Sequence, residues 1–399
     1  MQLILQAIFF ISVFGLLHSY LFYPLLLKWL AGDRKLSTDQ YQRGDQLPKV
    51  TVVMSLYNEE QVIEEKLSTL LQQDYPAHLL EIFIGSDQSS DQTNAKVEAI
   101  AVKHTNIKFF PFEQRQGKPG VINALVENLQ RENRLTAKDI LLFTDANVML
   151  KADTIWNLVR HFKQAETILV DANMVNTGLL KKGISYSEHQ YISSEVILKH
   201  REGLIFGKMA GPFGGCYALR ANYYHFVPPN FLVDDFYIAM KAFEQGGNAI
   251  NDLQAICYES VSHDIREEYR RKARISAGNF QNLNSFAYLL FPPYTKLSFT
   301  FISHKVLRWL GPFFIIFAFL TSSILGLLGS SFFQLMFGLQ LLVLVFIPLL
   351  DKLLAYFQFN FIPIRNVHYF IIMNIALLEG FFKYLKGIKS NVWTPPKRT

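Results

Sequence analysis

Residues 50–60 read VTVVMSLYNEE, a mainly β-branched and apolar run from Val50 to Leu56 followed by Tyr57, Asn58, Glu59 and Glu60. A short continuous apolar run that stops at polar residues is the pattern of a strand buried on both faces. From Glu59 to Gln73 the pattern turns helical. Working outward, the alternation repeats. Leu80 to Gly85 predicts a second strand and Gln92 to His104 a helix. Ile107 to Phe112 predicts a third strand, and Ile140 to Thr144 a fourth after a helix at Val121 to Arg134. Strand and helix in turn at this spacing predict an α/β fold: a mostly parallel sheet with helices on both faces. Ligands of such sheets bind outside the carboxyl ends of the strands.

The residues at those ends are polar. Tyr57, Asn58 and Glu59 follow the first strand, Asp87, Ser89, Ser90 and Asp91 the second, and Asp145 and Asn147 the fourth. Gln116-Gly117-Lys118 opens a helix, which sets a lysine and unbonded backbone N–H groups at a positive helix end. Carboxylates for ribose hydroxyls and a divalent metal, with a lysine for phosphate, suit a nucleotide diphosphate with Mg2+ or Mn2+. A lone Asp or Ser after a strand is more often a turn or a helix cap. Four such sites in register with one sheet point to a ligand.

Composition places this sheet beside a bilayer. Of 399 residues, 50% are hydrophobic and only 18% charged, where a soluble enzyme carries about a quarter. Disorder is excluded by that apolar content. A disulfide-stapled secreted fold is excluded by the presence of two cysteines only, Cys216 and Cys257, both in core-like segments. The hydrophobicity is held in blocks. Gln2 to Leu27 is 26 residues without a charge, against the ~20 that cross a bilayer, and Trp309 to Leu350 is 42. Gly326, Gly329, Ser330 and Ser331 near the middle of the second block predict a hairpin of two spans. Asn366 to Leu378 is a shorter third candidate, either a span or a re-entrant or interfacial segment. The first block is too long for a cleavable leader and carries its basic flank behind it, so it is expected to remain as an anchor.

Lys28, Arg34, Lys35 and Arg43 follow the first block, and Arg266, Arg270, Arg271, Lys272, Arg274, Lys305 and Arg308 precede the second. The positive-inside rule then puts the central domain in the cytoplasm. A net charge of +6 suits basic flanks at an anionic membrane better than a nucleic-acid groove. The expected organisation is an N-terminal transmembrane helix (1–30), a cytoplasmic domain (45–265), amphipathic interfacial helices (266–308) and C-terminal transmembrane helices (309–390). Interfacial helices fit the aromatic stretch 280–308 broken by Pro292-Pro293. Trp393, Pro395, Pro396 and Arg398 suggest an interfacial anchor. His189, His225 and His263 are isolated and lack metal-ligand spacing.

As a set, these residues resemble the membrane-integrated family 2 glycosyltransferases of the processive-synthase type: poly-N-acetylglucosamine, hyaluronan, chitin-oligosaccharide and cellulose synthases. Tyr57-Asn58-Glu59-Glu60 is similar to the family's N-E-E segment, though the preceding proline is Ser55. Ser86-Asp87-Gln88-Ser89-Ser90-Asp91-Gln92-Thr93 is similar to its D-D-G-S-x-D-x-T turn, and Gly117-Lys118, with Asn123 following, to its G-K. The metal motif D-x-D becomes Asp145-Ala146-Asn147, with an amide for the second carboxylate. Gly211 to Arg220 resembles the glycine-rich strand beside the acceptor, and Val233-Asp234-Asp235-Phe236-Tyr237-Ile238 the E-D-x-x-L motif. The family's Q-x-x-R-W-x-x-G falls on residues 271–278, where Arg274 and Gly278 match but Gln is Arg271 and Trp is Ile275.

The resemblance implies a GT-A-type domain that takes a sugar from a UDP-sugar, an N-acetylhexosamine among the candidates, with inversion. It implies Asp235 as catalytic base, Tyr57, Glu59, Asp87, Lys118 and Arg274 as donor-binding residues, and Asp145 and Asn147 as metal ligands. The partners it implies are a polysaccharide or lipid acceptor, membrane lipids and secretion or assembly proteins, with no nucleic acid. On the residues alone, Asp235 or Asp234 could be a helix N-cap, Tyr57 plain core, and Arg270 and Lys272 a membrane-facing stripe. Loss of the Gln and Trp favours a single transfer to lipid, whereas the C-terminal hairpin favours a synthase. A transporter is disfavoured because no ionisable residue interrupts the 42-residue block. A non-catalytic nucleotide-binding membrane protein is the remaining alternative.

Overall fold

The computed structural model of the protein describes residues 1–179, 184–261, 264–359 and 361–392. His263, Trp393, Pro395, Pro396 and Arg398 lie outside the described residues. The chain forms two units. One is Ala31–Gly178, Ile192–Ser260 and Ile388–Thr399, and the other is Met1–Leu30, Leu179–Tyr191 and Val261–Gly387.

The first unit is built on eight strands: β1 (Val50–Leu56), β2 (Leu80–Ser86), β3 (Ile107–Pro111), β4 (Ile140–Thr144), β5 (Val148–Leu150), β6 (Thr167–Thr177), β7 (Cys216–Arg220) and β8 (Asn248–Ser260). They form one sheet in the order β3-β2-β1-β4-β7-β6-β8-β5. Every residue of β4 and all but Ser55 of β1 are buried, as the unbroken apolar runs predict. Each such Val, Ile or Leu contributes roughly 1.5–3 kcal/mol on burial. Pairings β1–β2, β2–β3, β1–β4 and β6–β8 are parallel. Those of β7 with β4 and β6, and of β5 with β8, are antiparallel, so the sheet is mixed and parallel in four of its seven pairings.

The first expected helix begins four residues late, at Ile63 instead of Glu59. Asn58 takes a left-handed conformation (φ 53°), and the next N–H groups bond across to the turn after β2: Glu59 N to Thr93 Oγ1 at 2.7 Å and Glu60 N to Asp91 Oδ2 at 3.2 Å. The left-handed Asn58 and these cross-loop bonds hold the segment as a turn, and the helix starts after it. The helix expected at Val121 begins earlier, at Gly117, and runs to Arg131.

The second unit is helical. Gln2–Ala31 (30 residues) and Ser331–Tyr356 (26 residues) are long and apolar enough to cross a membrane, and a third span results if Lys296–Trp309 and Gly311–Leu327, bent by 60°, count as one. The break expected near Gly326 to Ser331 lies between the helices that end at Leu327 and start at Ser331. Ile362–Leu385 forms one 24-residue helix over the third C-terminal candidate. It packs on the Ile265–Ser285 helix, with Gly380 closely facing Ser276. The expected basic stripe on Ile265–Ser285 is only partly a surface feature. Arg271 bonds Glu268 and Glu188 at 2.7 Å each, and Lys272 lies 3.3 Å from Glu268, both acids being buried.

Candidate active site

Register decides which residues meet. In the parallel half, Leu56 pairs with Ser86 and Val53 with Phe143, so the segments after β1, β2 and β4 leave the sheet along one edge. β7 runs the other way and pairs Cys216 with Thr144. The glycine-rich segment that precedes it therefore reaches the same edge, and the Asp145 N–H donates to the Gly215 carbonyl at 3.1 Å.

Four charged side chains converge there. Lys118 Nζ lies 2.7 Å from Asp145 Oδ1 and 3.9 Å from Asp234 Oδ2. Asp234 and Asp235 occupy the first turn of the Asp234–Glu244 helix, whose N-cap is Val233, so neither acid is the cap. Their charge is favourable at that helix end. Burial alone would lower the Lys118 pKa, but Asp145, Asp234 and Asp235 outweigh it and hold the ammonium well above the usual lysine range. Burial and then the neighbouring Asp234 push Asp235 up to about 6, against the pull of Lys118. Gly214 packs against this carboxylate. With φ +91° it adopts a conformation that glycine tolerates, and a Cβ there would lie 2.2 Å from Asp235 Oδ2.

Beside this cluster lies a second group. Asp87 is buried at 2% exposure and accepts from Gln116 N at 2.6 Å, Gly117 N at 3.0 Å and Arg115 Nε at 3.0 Å. From just beyond β2 it supplies the acceptor that the Gly117–Arg131 helix lacks at its own N-terminus. The Arg115 guanidinium covers one face of Tyr57 at 3.3 Å, so on that face the ring stacks on arginine and not on a base. Glu59 is buried beside them at 8% exposure. Asn123 serves the fold: its amide accepts from Tyr224 Oη and Val227 N and donates to the Val227 carbonyl. Gly117, at φ +72°, leaves room for Asn391, whose Oδ1 would lie 2.1 Å from a Cβ at that position.

Among the described residues, no three His, Cys, Asp or Glu side chains form a self-contained metal cage. Three carboxylates facing one lysine do, however, leave negative charge that a cation would offset. Asn147 donates its Nδ2 to Glu259 Oε1 at 3.0 Å, which turns the amide oxygen away from that acid. Such a set fits Mg2+ or Mn2+ held by one or two protein oxygens together with phosphate oxygens.

Structure therefore groups Lys118, Asp145 and Asp235, sets Asn147 two residues along the same turn, and places Tyr57, Glu59 and Asp87 on the adjoining loops. Arg274 lies on Ile265–Ser285, which belongs to the other unit. Sequence reasoning passed over Arg115 and Glu259 and weighed Asp234 only as a cap. Arg115, two residues before Gly117, and Glu259, at the strand residue paired with Val148, show their roles only through register.

An α/β sheet with acids and a lysine gathered at the strand ends is the architecture of a GT-A glycosyltransferase. The chain belongs to the family described as "Glycosyl transferase family group 2", whose model matches residues 142–378, and the "Glycosyl transferase family 2" model matches residues 51–226. Poly-beta-1,6-N-acetyl-D-glucosamine synthase of Staphylococcus epidermidis is 25% identical over 156 residues, 36% of this chain and 35% of that protein. Beta-monoglucosyldiacylglycerol synthase of Trichormus variabilis is 24% identical over 186 residues, 46% of this chain and 36% of that protein. The chain thus spans about a third of the length of the curated relatives it matches. In fold it is similar to the solved mannosyltransferase PcManGT of Pyrobaculum calidifontis in complex with GDP-Man and Mn2+, at 21% identity and a TM-score of 0.69, over 96% of this chain and 99% of that one.

Proposed function

We propose that the protein is a membrane-integrated, inverting glycosyltransferase that moves a sugar, with N-acetylhexosamine the first candidate, from a UDP-sugar to a growing polysaccharide or a lipid-linked acceptor. The convergence of Lys118, Asp145, Asp234 and Asp235 at one sheet edge carries this reading. Asp235 accepts the proton of the acceptor hydroxyl as that oxygen bonds to the anomeric carbon and the bond from this carbon to UDP breaks in line. Its raised pKa suits a base near neutral pH. Lys118, kept protonated by three acids, stabilises the charge that develops on the departing diphosphate. Asp145, with Asn147, would hold Mg2+ or Mn2+, which as a Lewis acid supplies further charge stabilisation to the leaving group. Asp87 acts by fixing Arg115 and the Gly117-Lys118 turn, and Tyr57 and Glu59 shape the nucleoside side. By resemblance, Arg274 completes the diphosphate contact.

Membrane integration is supported by the spanning-length helices and by side chains such as Leu3, Ile11, Leu335 and Phe346, which are 60–80% exposed on them. Charge asymmetry supports a cytoplasmic catalytic unit. A second reading, one sugar added to a lipid acceptor, is favoured by Arg271. It stands where the synthases carry Gln, and Glu188 and Glu268 engage it in ion pairs. UDP release from a panel of UDP-sugars in membranes, followed by sizing of the product, tests both. Absence of UDP release from every donor would overturn the enzyme, and a single-sugar product would select the second reading.

A further inference from the structure

Beneath the Asp145-Ala146-Asn147 turn lies a lysine that the mechanism above does not use. Lys66, on the Ile63–Leu71 helix, is 0% exposed. Its ammonium donates to Thr144 Oγ1 at 2.7 Å and to the Val148 carbonyl at 2.5 Å. Those two residues are the last of β4 and the first of β5, and they flank the turn on either side. The Thr144 hydroxyl donates onward to the Gly215 carbonyl at 3.0 Å, which also accepts the Asp145 N–H at 3.1 Å. One buried cation thus fixes both ends of the turn and, through Thr144, the glycine next to the one packed on Asp235.

Burying an ammonium against a hydroxyl and a carbonyl is costly, and a methionine would fill the same space without that penalty. A helix facing a sheet needs only apolar side chains to pack. The lysine is therefore explained by what it holds.

We propose that Lys66 is a positioning residue that sets the curvature of the Asp145-Ala146-Asn147 turn for the metal–diphosphate, resting on the assignment of Asp145 as a metal ligand. Asp145 is then addressed by two lysines with separate tasks. Lys118 meets the leaving group, and Lys66 holds the turn from inside.

The test is UDP titration of the full chain in detergent at graded Mn2+, beside its unfolding temperature. Lys66→Met is expected to raise about tenfold the Mn2+ concentration that half-saturates UDP binding, as loss of an outer-shell partner does. UDP affinity in EDTA and the unfolding temperature should stay at or above the unmodified values. A purely structural role would instead lower the unfolding temperature and both affinities together. A folded Lys66→Met with unchanged Mn2+ dependence overturns the proposal, whereas an unmodified chain whose UDP binding ignores Mn2+ overturns the assignment of Asp145 itself. If Lys66→Met fails to fold, Thr144→Val removes the hydroxyl relay at nearly constant shape. The same rise is expected there, and unchanged Mn2+ dependence would again overturn the proposal.

Discussion

At the scale of single residues, the predictions separate base, metal ligand and glycine. Asp235 must be ionised to accept a proton, and burial and Asp234 push it up to about 6. Transfer should therefore fall as pH drops through about 6, with kcat/KM tracking one ionisation. Asp235→Asn should abolish transfer and leave UDP binding nearly intact; equal loss of both would reassign the residue. Stability should move oppositely. The folded state raises this carboxyl above its ordinary value of 3.8, so it disfavours the ionised form, and stability falls as pH rises from about 4 through 6. Asp235→Asn should then unfold at an equal or higher temperature at pH 7.5. Asp145→Ala should remove the Mn2+-dependent part of UDP affinity, and titration with and without EDTA checks it. Gly214→Ala would put a Cβ into the Asp235 carboxylate at a positive φ. Loss of about tenfold or more in kcat with UDP affinity kept is expected, and kinetics beside UDP titration read it.

At the scale of elements, the glycine-rich segment owes its place to buried charge. Asp171 on β6, 0% exposed, pairs with Lys199 at 2.6 Å and accepts from the Phe213 N–H at 3.2 Å and from Asn251. Glu202, one turn beyond Lys199 on Ser185–Phe206, accepts from the Ala210 N–H at 2.9 Å. Lys199→Met leaves Asp171 buried without its cation and should cost about 3–5 kcal/mol, while adding Asp171→Asn should recover more than half. Urea unfolding of the two variants measures the difference. The same pairs explain what could be foreseen. β1 and β4 were legible because unbroken apolar runs have few other uses. β6 was not, since Asp171, Asn173 and Asn176 interrupt its pattern and only Lys199 and Asn251, distant in sequence, make Asp171 tolerable inside. Lys66 likewise reads as a solvated helix position until Thr144 is placed against it. Asp235 is singled out by its motif, but the Asp87–Arg115–Tyr57 stack exists only once β2 and the turn after β3 are side by side.

At the scale of the whole molecule, the charge-free blocks made the helical unit legible, while its internal polarity was hidden. Asp351, 4% exposed, bonds Arg365 at 2.9 Å and His368 at 2.7 Å, so the acid that follows the second block is satisfied within the unit. Topology is then read from the basic residues that flank the blocks. By the positive-inside rule, Lys28, Arg34, Lys35 and Arg43 behind the first block and the cluster before the second predict one common side for the catalytic unit. The prediction for the turn at Gly329, between helices ending at Leu327 and starting at Ser331, is exposure on the opposite side. Both native cysteines are buried, so cysteines introduced by substitution report without background. In sealed cells, Gly329→Cys should react with a membrane-impermeant maleimide. Lys103→Cys, after the Thr93–Ala101 helix of the catalytic unit, should react only after permeabilisation. Labelling of Lys103→Cys in sealed cells would reverse the orientation and set the UDP-sugar site outside the compartment where such donors are made. Failure of both to label without permeabilisation would mean that the hairpin does not cross. Ile362–Leu385 then becomes the element whose side must be fixed next, because as a span it carries Lys383 and Lys386 to the face opposite the hairpin's return and as an interfacial helix it leaves them on that face.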